Sequence, residues 1–303
     1  MKNSRVLAVI VCVMAAVNFA SADTIRGIGM DFVTIGNPGN AADTQVMWTD
    51  GTTGYGAVGN AYRIGKYEVT NTQWNTFTAA AGAPTGNPSD AYDTGAYFTG
   101  AQQPTNEVSW YEAAQFCNYL TSGDKSKGAY QFSGNNTNPG SFLGIDRVSS
   151  ISTYGTTYVI PTEDEWYKAA YFKPNGSGYS LYANGTNTAP IAGVQSNHGN
   201  GAPWGDPWNV GTGTQEQNDT FDMMGNVWEW NETLISGSNR GFRGASYSEI
   251  DDYLASSGRY YFYLDYPYNE YRNVGFRVAE IPEPCSLVLL ALGGLTLLGR
   301  KRK

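Results

Sequence analysis

Apolar residues recur at helical spacing in three stretches, and each stretch opens with the same polar signal. Thr70 with Gln73, Ser109 with Glu112 and Thr162 with Glu165 have the spacing of a capping box. In that motif the first side chain accepts an amide hydrogen bond and the fourth reaches back to the first amide. The apolar faces that follow are Trp74 and Phe77; Trp110, Ala113, Phe116, Cys117 and Leu120; and Trp166, Ala169, Ala170 and Phe172. These starts predict three scaffold helices. Strand signals are shorter: Tyr62 to Val69, Thr157 to Ile160 and Phe276 to Ile281. The stretches 82–105, 133–156 and 173–220 are rich in Gly, Asn, Ser, Thr and Pro, and are predicted to be loops. Short strands, few helices and long loops imply an α+β fold with low regular secondary structure. No internal repeat and no linker divides the chain before Pro282, so the roughly 260 residues between the ends read as a single domain.

The two ends have their own patterns. Residues 1–22 carry Lys2 and Arg5, an apolar run from Val6 to Val17, and Ala20-Ser21-Ala22, the three parts of a cleaved secretory signal. The apolar run is shorter than the ~20 residues that a spanning helix needs, so a mature domain over 23–281 is expected to begin near Asp23. Residues 282–303 hold Pro282-Glu283-Pro284, an apolar stretch from Leu287 to Leu298, and Arg300-Lys301-Arg302-Lys303. This resembles the PEP-CTERM sorting signal of Gram-negative bacteria. The basic tail would stay on the cytoplasmic side while the prolines keep the Pro-Glu-Pro segment extended. The resemblance implies an exosortase-type sorting protease as partner, transient contact with the inner membrane, and a final place at the cell surface or in the extracellular matrix. A plain C-terminal anchor is the alternative.

Composition narrows the chemistry. The whole chain has a net charge of −8 and six of its 19 bases lie in the two ends, so the domain between them is more acidic still. No basic stripe is available to displace counterions from phosphates, and no nucleic-acid partner is expected. Cys12 and Cys285 fall in the terminal segments, which leaves Cys117 alone in the domain; no internal disulfide can form, and Cys117 reads as a small buried hydrophobe. His198 is the only histidine. One imidazole cannot build a two-histidine iron centre or a zinc protease site, and no nucleophile elbow accompanies it. The 37 glycines and 22 tyrosines point to many turns and many amphipathic ring contacts.

Four motifs in order carry a family resemblance: Ile160-Pro161-Thr162-Glu163-Asp164-Glu165-Trp166, Asp222 to Trp230, Arg240 to Tyr247, and Asn273-Val274-Gly275-Phe276-Arg277-Val278. Their order resembles the formylglycine-generating enzyme family, also called sulfatase-modifying factor domains. The resemblance implies a C-type-lectin-like fold from roughly Arg26 to Glu280. Catalytic members hold copper on a cysteine pair before the final Gly-Phe-Arg, and between Gly244 and Arg277 this chain has no cysteine. Copper is therefore not expected, since copper(I) needs soft thiolates.

The resemblance also implies a structural calcium on residues matching Asp222, Gly225, Val227 and Glu229, and these residue types suit a hard cation that takes six to eight oxygens. The alternative is that Trp228 and Trp230 are core anchors and the acids satisfy amides. A second family calcium site would use Asn197, His198 and either Asp206 or Asp219. Aligning 255–259 with the family's catalytic segment puts serine near one lost cysteine and Asp251 near the other, so Asp251, Ser256 and Arg259 are expected to mark the former groove as surface. The ring-rich segment beyond it, with Tyr261, Tyr263, Asp265 and Tyr268, has the composition of a sugar-binding surface, although single tyrosines there could equally pack the core. The expectation is an exported, calcium-stabilised binding or structural module for extracellular polysaccharide or an envelope protein. An enzyme using Asp251, Asp252, Asp265 or Glu270 as paired acids is the alternative.

Overall fold

The computed structural model describes residues 21–199, 205–259 and 266–283. The expected signal core, the apolar stretch 287–298, Pro284, Tyr261, Tyr263 and Asp265 lie outside them. Pro282 and Glu283 are exposed beyond the last strand. Among the described residues no helix is long and apolar enough to cross a membrane.

The described residues open with a hairpin that the sequence patterns did not reveal. Strands β1 (Ser21–Ile25) and β2 (Ile28–Ile35) pair antiparallel, with Ile25 opposite Ile28. The two-residue turn places Arg26 at φ 51° and Gly27 at φ 86°, the left-handed pair that matches strand twist. Arg26 then donates to the carbonyls of Leu120 and Thr121, capping the next layer's helix end with a cation. Strand β3 (Tyr62–Gly65) follows, then the predicted helices α1 (Asn71–Ala81) and α2 (Trp110–Ser122), each with its reciprocal capping box formed. Trp74 and Phe77 of α1 meet Phe116 of α2 and Phe276 in edge and stacked ring contacts.

The stretch expected as a loop over 133–156 is only partly one. It contains β5 (Phe142–Ile145), paired with β4 (Tyr130–Phe132), and a short helix α3 (Arg147–Tyr154) capped by Asp146. The physical reason is tertiary: Arg147 leaves α3 to pair with Glu165 and Glu232 at 2.8 and 2.9 Å, and a three-turn-long apolar period is not needed to hold it. Strand β6 (Thr157–Val159) and helix α4 (Glu163–Tyr171) stand where predicted, the latter with its capping box. A second hairpin, β7 (Trp228–Ser236) with β8 (Asn239–Arg243), carries two of the family motifs, and β9 (Val274–Gly275) joins β7 in parallel. The final strand β10 (Ala279–Ile281) inserts between β3 and β6, completing the antiparallel sheet β1-β2-β3-β10-β6.

Four tryptophans anchor the interior. Trp110, Trp166, Trp228 and Trp230 are all at most 2% exposed. A buried indole N–H needs an acceptor, and three find strong ones: Trp110 and Trp230 donate to the carbonyls of Asn231 and Val108, and Trp166 to Glu229 at 2.6 Å. Trp228 and Trp230 thus do anchor the core, while the acid beside them takes a more specific role.

Candidate functional site

The run from Asp222 to Trp230 folds over the loop carrying Asn197. Asp222, Gly225 and Asn226 all take left-handed backbone angles. A side chain on Gly225 would put Cβ 2.2 Å from the Asn197 carbonyl, so glycine is required there. The Asn226 amide donates to that carbonyl, and the Asn197 side chain donates to Asn226 Oδ1 and to the Asp206 carbonyl. Asn226 also donates to Glu68, whose other oxygen accepts the Val227 amide. Sequence reasoning missed Asn226 and Glu68; the only sign of Glu68 was an acid just before a predicted helix.

Asp222 accepts from the Gly211 amide at 2.7 Å. Glu229, fully buried, takes Arg277 at both oxygens, 2.6 Å each, in addition to the Trp166 indole. Glu68, Glu216, Asp222 and Glu229 thus surround a single guanidinium. Burial is the main reason that Glu216 is pushed up to about 8 and Asp222 to about 6; the neighbouring carboxylates add to it, and Arg277 opposes it. Glu68 is raised well above the usual carboxyl range by burial and then by Asp222 and Glu229.

Among the described residues no group of three or more His, Cys, Asp or Glu side chains is arranged to hold a metal ion. A calcium ion here would rest on Asp222, the Gly225 and Val227 carbonyls, and a Glu229 shared with Arg277. The donor types are hard oxygens of the kind calcium takes, but both Glu229 oxygens are already held by Arg277, so that carboxylate would have to be shared or released for a cation to bind. The second set gathers only in part: Asn197 reaches the Asp206 carbonyl, whereas His198 bonds Asp251 at 2.9 Å and Asp219 accepts from Gln215.

The 251–259 segment departs from expectation. Ser256 and Arg259 were expected at the surface, but they are 2% and 4% exposed. Arg259 bridges Glu163 and Asp50, 2.7 Å to each, and Glu163 also holds Arg243 at 2.6 Å. Arg243 donates to the carbonyls of Ser256 and Gly258. Ser256 therefore contributes main chain to an interior charge network that these arginines complete. Asp251, by contrast, is half exposed, with its Oδ1 on the fully buried His198 ring; burial lowers the His198 pKa although Asp251 opposes this. Tyr268 stacks on Tyr266 with ring centroids 5.1 Å apart and has Asp90 and Tyr111 as charged or polar neighbours. The described members of the expected groove do not form one surface.

What the segment does line is a cavity of about 410 Å³ between Tyr253 and Trp48. Trp48 belongs to an irregular loop that sequence patterning did not single out. A second cavity, about 330 Å³, lies by Glu107, Tyr247, Glu270 and Arg272. Behind it Glu270 accepts from the Thr94 amide, and burial, followed by the neighbouring Glu270, raises the Glu112 pKa well above its usual range. Cys117, the one cysteine among the described residues, is buried in α2 and burial pushes its thiol up. A lone protonated thiol cannot act as a pair of copper thiolates.

Comparison with known proteins agrees with this architecture. The chain is similar to the Treponema denticola variable protein 1 (21% identity, TM-score 0.59, covering 87% of this chain and 99% of that one). It is also similar to CarF (20%, TM-score 0.61, 84% and 99%) and to PvdO from Pseudomonas aeruginosa (16%, TM-score 0.55, 86% and 98%). These likenesses show the fold. In sequence, 185 residues are 29% identical to the Chaperone protein LppX of Paenibacillus barcinonensis, spanning 56% of this chain and 61% of that relative. Residues 38–281 match the family described as the sulfatase-modifying factor enzyme 1-like domain, and with four fifths of its length inside that match the chain belongs to this family.

Proposed function

We propose that this protein is a non-catalytic member of its family, an exported binding module that holds extracellular polysaccharide or an envelope protein. The observation that carries this reading is the fate of the 251–259 segment. Where the family resemblance implies a copper-binding cysteine pair, this chain places Ser256 and Arg259 in a buried charge network. Residues locked in such a network hold walls in place and do no redox chemistry. The relative described as a chaperone is consistent with a protein partner, and the sorting-signal resemblance is consistent with polysaccharide. A structural calcium on Asp222 and Glu229, passage through an exosortase-type protease after Pro282-Glu283-Pro284, and residence at a Gram-negative surface belong to the same proposal.

A carboxylate hydrolase is the second reading, and the Glu112–Glu270 pair favours it at first sight. Glycosidase acids stand ~5–9.5 Å apart to flank the bond they break. The Glu112 carboxylate is spent on the Ser109 amide of its own capping box, and burial holds its pKa well above the usual range, so it serves as a buried helix cap and does not flank a bond to be broken. The test is equilibrium binding of the purified protein to its host's extracellular polysaccharide, with calcium and with chelator, while reducing ends are monitored. Saturable binding without cleavage is expected, and a cysteine peptide incubated with copper and oxygen should stay unchanged. Cleavage, or conversion of the cysteine, would overturn the reading.

A further inference from the structure

We propose that the cavity between Trp48 and the 250–257 segment is a carbohydrate site that receives a hexopyranosyl unit bearing no acidic group. This deepens the binding-module reading and rests on it.

Trp48 is the starting point, because a tryptophan 51% exposed leaves a large apolar face in water. It is also held firmly. Its amide donates to the Ser257 carbonyl, and the fully buried Met47 beside it closes a tight turn with Gly51 and Thr52. Asp50, further along the same loop, is tied down by Arg259. The ring itself meets Tyr253 edge-on at 5.1 Å, and Tyr253 meets the buried Trp228 at 5.7 Å. A loop pinned at its main chain, its neighbour and its ring loses little freedom when a ligand arrives.

The polar groups indicate what that ligand is. Asp252 lines the cavity with Tyr182 and Ser257, and burial, followed by the neighbouring Asp251 and Asp252, raises the Tyr182 hydroxyl pKa. Apolar ring faces beside carboxylate and hydroxyl acceptors match the two aspects of a pyranose, whose C–H face stacks while its hydroxyls donate. The volume of about 410 Å³ lies within the ~300–1,000 Å³ of small-molecule sites. No lysine or arginine lines the cavity among the described residues. A uronate, sulfate or phosphate would therefore meet the Asp252 carboxylate with no cation in the lining to offset it, and like charges at such range repel. A neutral or amino hexose does not incur that penalty.

The experiment is calorimetric titration of the full chain with methyl β-glucopyranoside, methyl α-mannopyranoside, methyl β-galactopyranoside and glucosamine, and with methyl glucuronate as the charged control. Saturable binding of at least one uncharged or amino probe is expected. Trp48→Ala should weaken it about tenfold or more, and Trp48→Phe should recover most of that loss. Circular dichroism and thermal melting guard against misfolding, which the exposed position of Trp48 makes a small risk. Methyl glucuronate should bind at least about tenfold more weakly, and Asp252→Asn should narrow the gap. No saturable binding of any probe by about 20 mM, an affinity within millimolar range being normal for so small a contact, overturns the site. So does unchanged affinity in Trp48→Ala. If the host polysaccharide binds and Trp48→Ala leaves that binding intact, this site fails while the binding-module reading stands. If neither polysaccharide nor envelope protein binds, it is the broader reading that fails.

Discussion

Two buried arginine clusters organise this domain, and they balance their charges differently. Around Arg277, four carboxyls share one guanidinium. Around Glu163 and Asp50, two acids share Arg243 and Arg259. The second cluster is neutral and acts as a pin, drawing the Trp48 loop, α4 and the 251–259 segment together. The first is over-acidic, and must keep protons on some of its members or gain a cation. Buried ion pairs contribute little to stability when complete, but breaking one leaves a bare charge in low dielectric, which is costly.

The comparison yields its largest expected effect at Arg277. Arg277→Met removes the only cation among Glu68, Glu216, Asp222 and Glu229, and should cost about 3–5 kcal/mol in urea denaturation. A loss under about 1 kcal/mol would mean that protonation alone already neutralises the cluster. Calcium tests the same imbalance from the other side. Saturating calcium should stabilise the protein relative to chelator by about 2–3 kcal/mol, as for a ligand near a hundred times its Kd, and Asp222→Ala should abolish the difference in thermal melting. Identical melts with and without chelator would remove the metal from the account. Arg259→Met should cost less, about 1–2 kcal/mol, because Glu163 keeps Arg243. Its distinguishing outcome is a weakened hexopyranoside titration at unchanged fold, since Asp50 and the Trp48 loop lose their tether.

The smallest effect concerns pH. Burial and the neighbouring Glu270 raise the Glu112 pKa, so the folded state keeps a proton that the unfolded chain releases. Stability from this group is fully present below the unfolded carboxyl pKa and is lost as pH rises through the folded value. Glu112→Gln keeps a capping-box side chain at the same position and cannot ionise. The variant should match the wild type near pH 4 and melt about 2 °C higher near pH 8.5. Parallel melting curves at all pH values would show that Glu112 does not hold a proton in the folded state.

What could be read from the sequence follows from how local each signal is. The helices at 71, 110 and 163 were legible because a capping box and an apolar face lie within a dozen residues. The β1–β2 hairpin was not, because its turn is Arg-Gly and not one of the common turn pairs, and Ser21-Ala22 reads equally well as a cleavage site. Gly225 and Asn226 meet the Asn197 main chain, which joins a residue of the second expected calcium set to the Asp222 motif, and no local pattern linked the two. Ser256 and Arg259 were misplaced because the network that buries them rests on Glu163 and Asp50, 96 and 209 residues from Arg259, and no pattern in sequence reports a contact at that range. Trp48 was silent for the same reason: only its loop's anchoring to Ser257 gives it a direction.

The position of β10 has a consequence in time. Chains emerge from their N-terminus, yet Ala279–Ile281 sits inside the main sheet, hydrogen-bonded to β3 on one side and β6 on the other. Until those three residues arrive, both neighbouring strands have open edges, and the barrier to finishing the sheet stays unpassed however much of the chain is already made. Completion of the sheet therefore waits for the residue that immediately precedes Pro282, and the segment that follows is joined to the finished domain with no slack between them.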